Sequence, residues 1–311
     1  MSILENERSV EESKTDNQFF RILSKGPFSP EDIIYNYDPV PIDYPNSVKQ
    51  RVSAEWQKVV KNNPSAFPGP LVRLNDFEKN NDKLLLKLGT TSYDEYRGTV
   101  VLTENERRKI NYQLANPLAS CILVYSDTVY GSNRAILFSI RGSELVHRPN
   151  VLEIPSGNVS INQGLVENPI QTAVRECEEE QGIYPEELEN LQVDGLIYEH
   201  YKDAAAMLVC SARLKDSVAI DTIKARKIDS EGTPVWLPTK DLQDLSNLLI
   251  NLSPNILPAA LAAYYFYLLN NFPVNISQNF IDRLKTQTYG EVSAANAIRT
   301  FLLKKNSYDL R

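Results

Sequence analysis

Histidine, methionine and tryptophan occur twice each in these 311 residues, and cysteine three times. With only His147 and His200 available, a metal centre built on several imidazoles is excluded. Cys121, Cys177 and Cys210 are odd in number and widely spaced, with no Cys-x-x-Cys pair. That pattern gives neither a disulfide framework nor a thiolate metal site, and it points to a reducing compartment, the cytoplasm. No apolar run is long enough for a bilayer. The longest, Ile256 to Leu269, has 14 residues, where a spanning helix needs about 20. A buried helix is the expectation there, with no membrane partner. Basic stripes are also missing: the net charge is -7 and the pI about 5.1. This argues against nucleic acid as a partner, because phosphate neutralisation needs clustered Lys and Arg. Residues 1–16 lack the basic and apolar regions of a signal peptide and read as a disordered tail.

What is present suits a globular chain with a sizeable core: 42% hydrophobic and 23% charged residues of mixed sign. Three regions follow the tail. Residues 17–115 hold Val48, Val52, Trp56, Val59 and Val60 at helical spacing, closed by Pro64, then the strand-like runs LVRL and LLLKL and a short polar helix, TENERRKINYQ. Residues 116–253 open with SCILVYS and AILFSIR around a Gly131-Ser132-Asn133 turn, a hairpin signal. VLEIPSG then reads as an extended piece ending in a turn. A helix from Pro169 to Gln181 comes next, followed by strand-like LQVDGLIYEHY, AAAMLVCSARL and TPVWL, and by an amphipathic helix, DLQDLSNLLINL. Residues 254–311 are helical, and would either cap the core or form a contact between subunits. Strands separated by one long helix and closed by another predict an α/β sandwich with a mixed sheet. The α+β first region is an N-terminal extension to it, and the third region a helical tail.

The stretch from Gly157 to Ile183 carries the chemistry. Asn168 suits an N-cap, Pro169 the first helical position and Gly182 the residue just past the end. Ile170, Ala173, Val174 and Cys177 form the apolar stripe. Glu176, Glu179 and Glu180 fall at i, i+3 and i+4, so they share a face. Such like charges repel by a few tenths of a kcal/mol per pair, and Arg175 offsets only part of this. A hard divalent cation, Mg²⁺ or Mn²⁺, would offset far more. For Glu-x-x-Glu-Glu alone, a solvated acidic face is the simpler reading.

The wider pattern resembles the signature of the Nudix hydrolases, G-x5-E-x7-R-E-U-x-E-E-x-G-U with U bulky and apolar. Glu167, Arg175, Glu176, Glu179, Glu180, Gly182 and Ile183 match in type and spacing, with Cys177 at an apolar position. Gly157 is separated from Glu167 by nine residues instead of five, which implies a four-residue loop insertion. The resemblance implies a Nudix α/β/α fold and a pyrophosphohydrolase. Glu179 and Glu180 would then be metal ligands, Glu176 a ligand or base, and the Gly157 carbonyl a further ligand. Arg175 would orient a box carboxylate, with Glu167 as its supporting partner.

FPGPLVRL (67–74), LKLGTTSYDEYRGT (86–99), Asp229-Ser230-Glu231-Gly232 and LSPNILPAALAAYYFY also resemble one branch, the vertebrate Nudix-type UDP-sugar hydrolases. The similarity spans about residues 45 to 270. It implies Mg²⁺-dependent cleavage of UDP-glucose or UDP-galactose to UMP and a sugar 1-phosphate. Pyrophosphatases acting on ADP-ribose, dinucleotides or coenzyme A are the alternatives, together with a catalytically silent binding module. Arg141, after a strand, is a candidate for a substrate phosphate, weighed against an ordinary surface arginine. Tyr93 and Tyr96 are candidates for stacking on uracil or sugar, weighed against core packing. Asp229 or Glu231 would supply one more carboxylate. No catalytic role is assigned to either histidine.

Overall fold

The computed structural model describes residues 17, 19–111, 113–130, 133–143, 149–199, 205–226, 232–239, 241–287, 297–299 and 301–302. The expected tail, both histidines, Asp229 and Glu231 lie outside these. The first region supplies β1 (Phe20–Phe28), β2 (Ile33–Tyr37), α1 (Asn46–Asn62), β3 (Pro70–Asn80), β4 (Lys83–Ser92), α2 (Tyr93–Val100) and α3 (Glu104–Lys109). Then come β5 (Leu118–Tyr130), β6 (Asn133–Arg141), β7 (Leu152–Glu153), β8 (Ser156–Asn158), β9 (Ile161–Asn162), β10 (Leu165–Val166) and α4 (Pro169–Gln181). The chain continues with β11 (Leu188–Glu199), β12 (Ala206–Leu214), α5 (Ile220–Lys224), β13 (Gly232–Pro238), α6 (Leu242–Leu252), α7 (Pro258–Asn271) and α8 (Val274–Leu284).

Eight strands form the main sheet, in the order β1-β11-β12-β5-β6-β13, with β7 joined to β6 and β8 to β5. The β5–β12 pair is parallel and the others antiparallel, so the sheet is mixed. Its two faces are buried differently. On one, Ile170, Ala173 and Cys177 of α4 pack with Leu118, Ile122 and Val124 of β5. The other is covered by α6, α7 and α8, with Leu245, Leu249, Phe280 and Ile281 in one cluster. The architecture is the α/β/α sandwich expected from the pattern of elements. A helix apolar on all sides must be surrounded, and α7 is: every residue from Pro258 to Leu268 is buried. The described residues of the third region therefore cap the core. Among the described residues no helix is long and apolar enough to cross a membrane.

In two places the backbone differs from the sequence reading. Phe20 to Phe28 were counted with the first region, yet β1 pairs antiparallel with β11 and forms an edge of the main sheet. The separate three-stranded sheet, β2-β4-β3, holds the rest of that region's strands. Nothing local distinguishes an edge strand of one sheet from a strand of the next, since pairing is non-local. Gly157 also does not sit in a turn. It is in β8, opposite Ser120 of β5.

One buried acid constrains the sheet. Asp194 of β11 is 1% exposed, and its Oδ1 accepts hydrogen bonds from Gln192 and Asn270, both at 2.7 Å. Burial raises its pKa from 3.8 to about 6, against the pull of Ser211, Gln192 and Asn270. A carboxyl whose folded pKa is raised holds its proton in the native state while the unfolded chain releases it. Stability is therefore lost as pH rises from about 4 to about 6 and stays lost above that. Asp194→Asn is expected to raise the unfolding free energy at pH 7.5 by on the order of 3 kcal/mol, and to add little at pH 4. Urea melts of both proteins at the two pH values measure this; an equal effect at both would reject the titration.

Candidate active site

The geometry begins with how α4 is started and stopped. Asn168 Oδ1 accepts the amide of Ile170 at 2.9 Å, and Pro169 occupies the first helical position. Gly182 takes φ +66°, a left-handed conformation open to a residue without Cβ, and its amide returns to the Glu178 carbonyl. Both ends follow the sequence expectation.

The four extra residues before the helix have a defined form. β9 and β10 pair as a two-residue hairpin, with Gln163 (φ +53°) and Gly164 (φ +79°) at its tip. Two consecutive positive φ values match the tight turns that suit the natural twist of a hairpin. The Glu167 amide then donates to the Ser160 carbonyl at 2.9 Å. The insertion is folded outward, and the chain reaches Glu167 beside Ser160, just past β8.

Arg175 joins the acidic side chains. Its Nε donates to Glu167 Oε1 at 2.9 Å and its Nη2 to Glu167 Oε2 at 3.3 Å, a two-pronged pair. Its Nη1 lies 2.7 Å from Glu176 Oε1 and 2.8 Å from Glu179 Oε2. Thr172 adds a hydroxyl to Glu167 Oε2 at 2.9 Å. Burial pushes the Glu167 carboxyl up, but the hydrogen bonds from Arg175 and Thr172 outweigh it and hold the group below the usual carboxylate range. The bond to Glu167 leads the effects that keep Arg175 firmly protonated.

The carboxylates differ in exposure. Glu179 is half exposed and Glu178 is exposed, whereas the Glu176 side chain is 14% exposed and Glu180 is buried. Glu176 lies directly on Gly157: a Cβ built at Gly157 would come within 1.9 Å of Glu176 Oε1. A side chain at 157 would have to push the Glu176 carboxylate out of this position. Glu176, Glu179, Glu180 and the Gly157 carbonyl offer hard oxygen donors, the type preferred by Mg²⁺ or Mn²⁺. Among the described residues no group of three or more His, Cys, Asp and Glu side chains is gathered to hold a metal ion. That is compatible with Mg²⁺, which keeps several waters and takes one or two carboxylates with substrate phosphates, in place of an all-protein cage.

Beyond Gly157 lies a cleft of about 230 Å³, lined among others by Tyr93, Tyr96 and Arg97 of α2, Gly157, Glu199 and Met207. The structure thus brings Tyr93 and Tyr96 to the same opening as Gly157. Their rings are 6.0 Å apart, and Trp56 meets Tyr93 edge-on, also at 6.0 Å. The sequence reading passed over Arg97 and Glu199. Arg97 had a signal, since positions 93, 96 and 97 share a helical face. Glu199 had none: its carboxylate is 5% exposed and accepts the Ala259 amide at 2.9 Å, in the first turn of α7. Arg141 does not line this cleft. Its guanidinium is turned to Glu153, which is 2% exposed and needs a paired cation there.

No protein-family model and no curated protein matches the chain. Solved structures it is similar to include a Nudix hydrolase from Alicyclobacillus acidocaldarius, 12% identical over 56% of this chain and 97% of that one, with a TM-score of 0.36. Others are a mutT/nudix family protein from Listeria innocua (16%, 53% and 96%, TM-score 0.35) and a Nudix hydrolase from Nitrosomonas europaea (15%, 51% and 93%, TM-score 0.34).

Arg175→Gln removes the cation shared by three carboxylates. It is expected to lower the unfolding free energy by about 1–3 kcal/mol, the usual effect of leaving charged hydrogen-bond partners unpaired. Glu178→Gln, on the exposed side, should change it by less than about 0.5 kcal/mol. Urea melts in the absence of divalent metal compare the two.

Proposed function

We propose that the protein is a divalent-metal-dependent pyrophosphohydrolase of the Nudix type that cleaves nucleoside-diphosphate-linked compounds. The observation that carries this is the arrangement on α4: Arg175 holds Glu167, Glu176 and Glu179 together, and the Glu176 carboxylate occupies the space that a side chain at Gly157 would take. A solvated acidic face would need neither the two-pronged arginine nor the glycine cradle.

In this reading Glu176, Glu179, Glu180 and the Gly157 carbonyl would hold Mg²⁺ or Mn²⁺, one or two of the carboxylates directly and the rest through the waters the ion keeps. Bound there, the ion would supply positive charge to phosphoryl oxygens and make a nearby water more acidic. Glu176 accepts the proton of the attacking water at a carboxylate oxygen. The water oxygen bonds to one phosphorus, and the bond from that phosphorus to the bridging oxygen breaks. Two phosphate monoesters leave. Arg175 and Glu167 do not touch the reacting atoms; they fix the direction of Glu176 and Glu179.

The substrate class we assign is UDP-glucose or UDP-galactose, with UMP and a sugar 1-phosphate as products. The support is the segment LKLGTTSYDEYRGT, which resembles the UDP-sugar branch and whose tyrosines line the cleft next to Gly157. The test is a kcat/KM comparison with Mg²⁺, read by product chromatography. UDP-glucose or UDP-galactose is expected to exceed ADP-ribose; preference for an adenine compound would reassign the substrate without touching the α4 chemistry.

Glu180→Gln is expected to lower turnover on the order of 10²–10⁴-fold, the range for a positioned carboxylate, and EDTA should abolish it. Glu178→Gln, which lies about 100° away from Glu179 around the helix, should keep near-normal turnover. Equal rates for the two variants would remove the proposed roles.

A further inference from the structure

The site as described so far has little positive charge to spare. Arg175 is committed to Glu167, Glu176 and Glu179, and Arg141 to the buried Glu153. A diphosphate brings two more negative charges to a chain of net charge -7. Arg97 differs from the other two arginines. It lines the cleft, and among the described residues its side chain makes no ion pair or hydrogen bond. A guanidinium facing a cleft is built for phosphate: planar, always charged, with donors spaced for two oxygens.

The surroundings favour this use. Tyr93, Tyr96 and Arg97 fall at i, i+3 and i+4 on α2 and line one cleft. The acid that faces them, Glu199, is turned to the Ala259 amide at the start of α7, where the positive helix end offsets its charge. The helix is also held tightly in place. A Cβ at Gly98 would lie within 2.6 Å of the Val52 Cα, so the residue beside Arg97 lets α2 sit directly on α1. The cleft, at about 230 Å³, is smaller than the roughly 300–1,000 Å³ of pockets that enclose a whole ligand.

We propose that Arg97 binds a phosphate of a nucleoside-diphosphate-linked ligand, with Tyr93 and Tyr96 packing against the ring attached to it. The first region would then complete the site, and its α2 would set which diphosphate compounds are accepted. This rests on the hydrolase reading for the position of the scissile link, but not for the binding itself.

The test uses the full chain and two readouts. Binding of UDP and of uridine is measured by calorimetry with Mg²⁺ for the wild type, Arg97→Gln and Arg97→Lys, and KM and kcat are measured on UDP-glucose. Circular dichroism and thermal melts confirm that the variants fold. Arg97→Gln should weaken UDP binding and raise KM at least tenfold, with kcat within threefold and uridine binding unchanged. Arg97→Lys should recover part of the loss. Wild-type affinity for UDP in Arg97→Gln overturns the proposal, whatever the turnover. If UDP binding depends on Arg97 but no diphosphate compound is hydrolysed, the hydrolase reading falls and the phosphate site stands. If the wild type does not bind UDP at millimolar concentration, the site is wrong.

Discussion

Five acidic side chains within fourteen residues, on or beside one helix, would repel one another and splay into solvent without a cation among them. Arg175 supplies that cation, and the rest of the site is arranged around its three-way grip. Glu167 must reach it from the loop, so the insertion folds away as a hairpin and returns the chain at Ser160. Glu176 must reach it from the helix while lying against β8, so position 157 is glycine. The helix must start and stop where it does for these distances to hold, which is the work of Asn168 and Gly182.

This arrangement costs stability and leaves chemistry open. A guanidinium shared by three carboxylates leaves them short of positive charge, and Glu180 adds a further acid on the buried side. Sites that place like charges together against local preference are where function is expected to override folding rules. The fold tolerates it because α4 is anchored elsewhere, by Ile170, Ala173 and Cys177 packed against β5. Burying such a stripe contributes several kcal/mol, more than the few tenths lost per pair of like charges.

Much of this was legible in the sequence because it is local. Caps, helix length, the apolar stripe and the acidic face are set within one turn or two, and α4 runs over the expected residues, Pro169 to Gln181. The buried character of α7 was equally plain from its uninterrupted apolar surface. What stayed hidden depends on pairing across the chain. β1 joins β11 from some 170 residues away, and no local pattern encodes that choice. From the sequence Arg141 is a candidate for a substrate phosphate, weighed against an ordinary surface arginine; its pairing with Glu153, on another strand, is not visible there. The cleft is the same kind of case: it brings residues of α2 and β8 together across the chain, so Tyr93, Tyr96 and their helical neighbour Arg97 could be suspected from the sequence but Glu199 could not.

The proposed chemistry requires the inner carboxylates of α4 to hold a divalent cation. Mn²⁺ binding, followed by the loss of its free electron-paramagnetic-resonance signal on titration into the protein, measures this without any substrate. The account predicts a site in the wild type and in Glu178→Gln that is weakened at least tenfold in Glu180→Gln. Equal Mn²⁺ binding by Glu180→Gln and the wild type would contradict it.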